Sequence, residues 1–245
     1  MSDLSKQIAD YKQAFYLLLS EIQPVDGGGN ISVARFDLIG NVKVKIDQLM
    51  PEGEGVQFEV QDLVNTTDTV NVQINAFLDP SAKFIHQTAP LTYINGDLCI
   101  TTPVNNSDGT GYVELPADFL RLQSFKMSLW EREVNEAITP NDPKYKLQGN
   151  ISTRGGKAKP VCVIMRKKVS AIVKKVIQYY SLSIDDTPTV EQFIYVPNVV
   201  AENVQASLIE ALCWACASKV LEAQGYSVAS DNAKKQIVLE YEKLI

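Results

Sequence analysis

Cys213-Trp214-Ala215-Cys216 has the C-x-x-C spacing of dithiol redox sites and is the sharpest chemistry-bearing string in the chain. That chemistry needs a thiolate, normally obtained by placing the first cysteine at a helix N-terminus, where the helix dipole lowers its pKa. Here the pair stands roughly three turns inside an apolar helical run, which predicts two small core residues. A zinc site would need two more ligands from Cys99, Cys162 or His86, and none has paired spacing. His86 is the only histidine, so any triad or histidine base must pass through it, and no G-x-S-x-G elbow accompanies it. Gly155-Gly156-Lys157-Ala158 ends in alanine where a phosphate loop needs serine or threonine, and Ile151 stands where that loop's first glycine belongs. Gly27-Gly28-Gly29 lacks the strand and the lysine, and residues 105–111 lack the glycine and glutamate spacing of a calcium loop. The sequence thus assigns no catalytic residue, no metal ligand and no cofactor.

What remains is charge. The 245 residues carry 23 basic and 29 acidic side chains, a formal net charge of −6. Residues 1–120 sum to −10, residues 121–175 to +9 and residues 176–245 to −5. The middle is a basic island in an acidic protein. Arg154, Lys157 and Lys159 surround Gly155-Gly156 in a hairpin or loop tip, followed by Arg166, Lys167, Lys168, Lys174 and Lys175. Clustered cations can touch phosphates or dock an acidic surface. The overall negative charge argues against a protein whose whole surface grips nucleic acid, and no recognition helix rich in Arg, Asn and Gln is evident. An acidic protein surface, such as that of an identical neighbour, is the expected partner of this segment.

Composition sets the frame. With 45% hydrophobic and 21% charged residues the chain reads as an ordinary globular protein. Its start lacks the basic and apolar regions of a signal peptide, and no window approaches the length of a membrane span. Four cysteines are too few for a disulfide scaffold. These features predict an unanchored chain made in a reducing cytoplasm.

The elements that must position the island are read from periodicity. Leu4, Ile8, Tyr11, Phe15, Leu18 and Ile22 form one helical stripe. Ser32 stands at an N-cap position before a second stripe of Phe36, Ile39, Val42 or Lys43, Ile46 and Leu49. Alternation at 57–60 and 70–74 predicts half-buried strands, and Asn95-Gly96-Asp97 a hairpin turn. Further strands are expected at 112–116, 125–129, 161–165, 173–182 and 192–196, although 169–177 also fits a helix. Residues 202–224 and 231–244 return to helix, with Gly225 as the stop between them. The run 208–217 is apolar almost all round and needs partners on several sides, from the first two helices, a neighbouring subunit or both. The expected fold is α+β: residues 1–54 and 198–245 form one helical bundle, and residues 55–197 a large antiparallel, sandwich-like β-rich insertion.

Within this layout Val113-Glu114-Leu115-Pro116-Ala117-Asp118-Phe119-Leu120-Arg121-Leu122 resembles the LPxDFLRL turn of head-to-tail connector, or tail-tubular, proteins of short-tailed bacteriophages. Gly29-Asn30-Ile31-Ser32-Val33-Ala34-Arg35-Phe36-Asp37, with Asn41, is similar to the ISVxxFN…N opening of the second helix in connectors of crAss-like phages, with Asp37 replacing the usual asparagine. Ala211-Leu212-Cys213-Trp214-Ala215-Cys216-Ala217, and the chain onward to Tyr241, resembles their closing helices. The resemblance implies a non-enzymatic virion ring subunit, commonly a dodecamer, around the DNA channel. Its partners would be further copies of itself, the portal, other connector-ring or tail proteins, and packaged DNA met without sequence specificity, with no membrane. Arg154, Lys157, Lys159, Arg166, Lys167, Lys168 and Trp214 are the expected interface residues. Two alternatives belong to other classes: a DNA-contacting accessory protein using residues 154–175, and a thiol oxidoreductase on Cys213 and Cys216.

Overall fold

A computed structural model describes residues 33–50 and 69–244, apart from residues 170, 181, 184 and 185. The predicted helix at 4–22 and strand at 57–60 lie outside these residues. The chain divides into two units, Met1–Asp37 and Leu38–Ile245, and the architecture below is that of the second.

Helix α1 (Val33–Leu49) follows the predicted stripe. Leu38, Ile39, Val42, Lys43 and Ile46 are buried along it. The next element corrects the sequence reading: residues 70–74 are not a strand but the opening of α2 (Thr69–Thr88). Val70, Val72 and Ile74 alternate over too short a window to reveal the period. Read on to residue 89, the buried positions are Asn71, Ile74, Leu78, Ser81, Ala82, Ile85, His86 and Ala89, spaced three and four apart, while Val72 is 51% exposed. Pro80 lies within α2, on an exposed face.

The mixed architecture of helices and antiparallel sheets agrees with the α+β expectation. The strands are β1 (Asp97–Leu98), β2 (Val104–Asn105), β3 (Gly111–Glu114), β4 (Phe119–Met127), β5 (Cys162–Val169), β6 (Ile172–Tyr179) and β7 (Val190–Pro197). They form a three-stranded sheet in the order β1-β7-β4 and a four-stranded one in the order β2-β3-β6-β5. The Asn95-Gly96 hairpin is a second correction, because β1 does not fold back on its sequence neighbour but pairs with β7, Asp97 opposite Tyr195. Residues 169–177, ambiguous in sequence, resolve as the turn and outgoing strand of the β5–β6 hairpin. Both sheets contribute to one apolar cluster that includes Val113, Phe125, Met127, Ile177 and Phe193. In it, Phe125 meets Trp130 and Phe193 edge-on, each at 5.6 Å between centroids.

The connector-like phrase sits between the sheets. Val113 lies near the end of β3, Phe119 and Leu122 in the first half of β4, and all three are buried. Asp118 accepts hydrogen bonds from the Tyr195 hydroxyl at 3.1 and 3.2 Å.

Two helices complete the chain, α3 (Ile209–Ala223) and α4 (Ser227–Glu242), separated at Gly225, whose φ of 88° is the left-handed stop glycine tolerates. The over-apolar run is buried from Ala211 through Ser218 and packs against α2 and α4, with the Lys45 side chain of α1 reaching its first turns. The Cys216 thiol donates to the Ile74 carbonyl of α2 at 3.5 Å, Ser218 meets Ser230 of α4 at 3.0 Å, and Lys45 of α1 reaches Glu210 at 2.6 Å. The partner that sequence reasoning missed is α2, hidden by the strand assignment.

Candidate functional site

The cysteines and the histidine are committed to packing. Burial pushes the Cys162 and Cys213 thiols up to about 12, far from the thiolate that redox chemistry needs. His86 is 3% exposed, with Nδ1 3.4 Å from the Pro197 carbonyl, and burial lowers its pKa from the ordinary value. Among the described residues no three His, Cys, Asp or Glu side chains come together to hold a metal ion, and no helix is long and apolar enough to cross a membrane.

The basic island separates into two parts. Arg154 turns inward and donates to the Asp108 carbonyl at 2.9 Å and the Leu182 carbonyl at 3.0 Å. It thereby ties the 105–110 loop to the segment after β6. That loop is held by its own Asx turn, in which the Thr110 amide and hydroxyl donate to Asp108 and keep its carboxyl below the usual range. Gly109 has φ +75°, and an added Cβ would press on the Leu182 carbonyl. Lys157 is paired with Asp186 at 2.9 Å. Lys159 is exposed. Trp214 is 7% exposed, with Lys45 Nζ 4.9 Å from its ring centroid, so its face is covered by its own chain. Arg154, Lys157 and Trp214 are therefore engaged in intrachain contacts.

The second part is the β5–β6 hairpin, where register decides which cations are neutralised. Arg166 stands opposite Lys175, Lys167 opposite Lys174 and Lys168 opposite Val173. Directly opposed residues share a face and successive residues alternate. Lys167 and Lys174 therefore lie on one face, where Lys167 Nζ sits 4.2 Å from the Tyr112 ring centroid and Lys174 pairs with Glu114 at 2.6 Å. Arg166, Lys168 and Lys175 lie on the other. Among the described residues no acidic side chain pairs with these three, all of which are exposed. Lys175 Nζ lies 4.8 Å from the Phe119 ring centroid, and its pKa is depressed by desolvation and by the charges of Arg166 and of Lys83 on α2. Lys83 thus joins the cluster from more than 80 positions away. No local signal in the sequence could have placed it there.

Beside Lys175 runs a groove of about 550 Å³ lined in part by Leu91, Phe119, Leu122, Glu136 and Ile164. Arg121, on its wall, is held by the Gln87 and Ala89 carbonyls that end α2. The surface therefore combines cations with an apolar floor, and what it can do chemically is bind a polyanion or a carboxylate-rich polypeptide. No protein-family model matches the chain, and no curated protein matches it significantly.

Proposed function

We propose that this protein is a non-enzymatic structural subunit of the head-to-tail connector class, a virion ring component that joins portal to tail proteins around packaged DNA. In this reading the end helices form the ring-building bundle, and the β-rich, sandwich-like part faces adjacent rings or tail components. The observation that carries it is the distribution of reactive groups: the cysteine pair and the histidine serve packing, while Arg166, Lys168 and Lys175 stand exposed on the β5–β6 hairpin with no acidic partner among the described residues. A scaffold that docks to other proteins uses its surface in this way, and the LPADFLRL stretch links the two sheets, with Phe119 and Leu122 buried in the core. Native mass measurement of the protein mixed with a portal ring of a short-tailed phage tests the proposal. Addition of copies in one defined multiple supports it, and absence of association at low and moderate salt refutes it.

A further inference from the structure

The outer edge of β5, which no described segment pairs beyond Ile138, leads beyond that reading while resting on it. Ile138 covers the start of this edge, donating to the Cys162 carbonyl and accepting from the Ile164 amide, each at 3.0 Å. Backbone groups on a strand alternate sides, so the amides and carbonyls of Arg166 and Lys168 face the same way as those of Cys162 and Ile164, past the point where Ile138 stops. An uncovered strand edge is a template for another strand, and cationic side chains along it deter indiscriminate pairing. The same cations select a partner that brings carboxylates. Arg166 opposite Lys175 is a like-charge pair that weakens an isolated hairpin, and an acidic strand laid alongside would reverse that effect. Exposed Ile172 and Val173 at the hairpin end, 62% and 63% accessible, add apolar area next to the charges.

We propose that the β5 edge at Arg166 and Lys168, with Lys175, is the docking site for an acidic extended segment of a second copy of this chain. Charge complementarity argues for a second copy. Outside the basic stretch 121–175 the chain is strongly acidic, −10 before it and −5 after it. Each copy therefore carries both halves of the contact, and basic edge to acidic segment is a head-to-tail arrangement able to propagate around a closed ring. A duplex held by the same edge would have to approach a protein of net charge −6.

The test is sedimentation of the purified full-length protein from micromolar to millimolar concentration, at low and high salt. The expected result is self-association that weakens with salt and falls by about tenfold or more in the triple variant Arg166→Glu, Lys168→Glu, Lys175→Glu, while Lys159→Glu leaves it unchanged. A neutral series with Gln at the same three positions covers the case in which the reversed charges disturb folding. Lys168→Pro removes one outward amide and should weaken association more than Lys168→Gln, the mark of backbone pairing. Wild type that stays monomeric throughout, or a triple variant that associates like wild type, overturns the proposal. So does duplex DNA binding that the triple variant loses in the absence of self-association. Portal binding measured on the same samples separates the two ideas, since failure of the edge contact alone leaves attachment of wild type to the portal intact.

Discussion

His86 lies where α2 meets the end of β7, nearly without exposure, with one ring nitrogen near the Pro197 carbonyl and Nε2 without a hydrogen-bond partner among the described residues. Burial disfavours its charged form and lowers its pKa below the ordinary 6.5, and the carbonyl contact only partly opposes that. The unfolded chain consequently takes up the proton first. Stability from this residue is full above the unfolded value, falls as pH drops through the window between the unfolded and folded values, and levels off below the latter. Urea unfolding followed from about pH 7 to 5 should show a steeper loss for wild type than for His86→Phe. Equal slopes would place the acid sensitivity elsewhere. The same burial accounts for Cys213 and Cys216: their spacing is that of a redox motif, and Cys213 stands only about one turn into α3 rather than three, but both are fully buried and serve as packing residues. That much was legible from the apolar run around them.

Helix α2 carries the largest correction at the level of elements, and it is directly testable. On a strand Val72 and Ile74 would point to one face and respond alike to a charge. On the observed helix Val72 is 51% exposed and Ile74 fully buried. Val72→Lys should change stability by no more than about 0.5 kcal/mol, and Ile74→Lys should lower it by about 3 kcal/mol or more, measured as urea midpoints. Similar effects at both sites would contradict the helix. Five alternating residues satisfy a period of two by coincidence, and only the longer spacing from Asn71 to Ala89 distinguishes the two periods. The hairpin was ambiguous for a related reason: the β-branched and basic residues of 169–177 suit either state locally, and pairing with β3 and β5 decides.

At the scale of the whole molecule the basic island divides by geometry into an internal latch and an outward edge. Arg154 bridges the carbonyls of Asp108 and Leu182, and Lys157 bridges to Asp186, so these cations hold loops together. Arg154→Ala should lower unfolding free energy by about 1–2 kcal/mol, because two carbonyl acceptors lose a charged donor. It should leave salt-dependent self-association unchanged. Loss of association without loss of stability would return Arg154 to an interface role. Arg166, Lys168 and Lys175 instead stand exposed with no acidic partner among the described residues, in a protein that is acidic nearly everywhere else.

The sequence by itself determined the helix at 33–49, the closing helices, the strands between residues 111 and 197, the burial of the cysteine pair and the position of the positive charge, because these depend on composition and on local periods. Tertiary structure alone decided which cations are neutralised and which stay available. That choice depends on strand register, which placed Lys167 and Lys174 against Tyr112 and Glu114, and on a long-range approach that brought Lys83 toward Lys175. Charge type is written residue by residue, but the dielectric surroundings and the counter-charge of each group exist only once distant segments have packed.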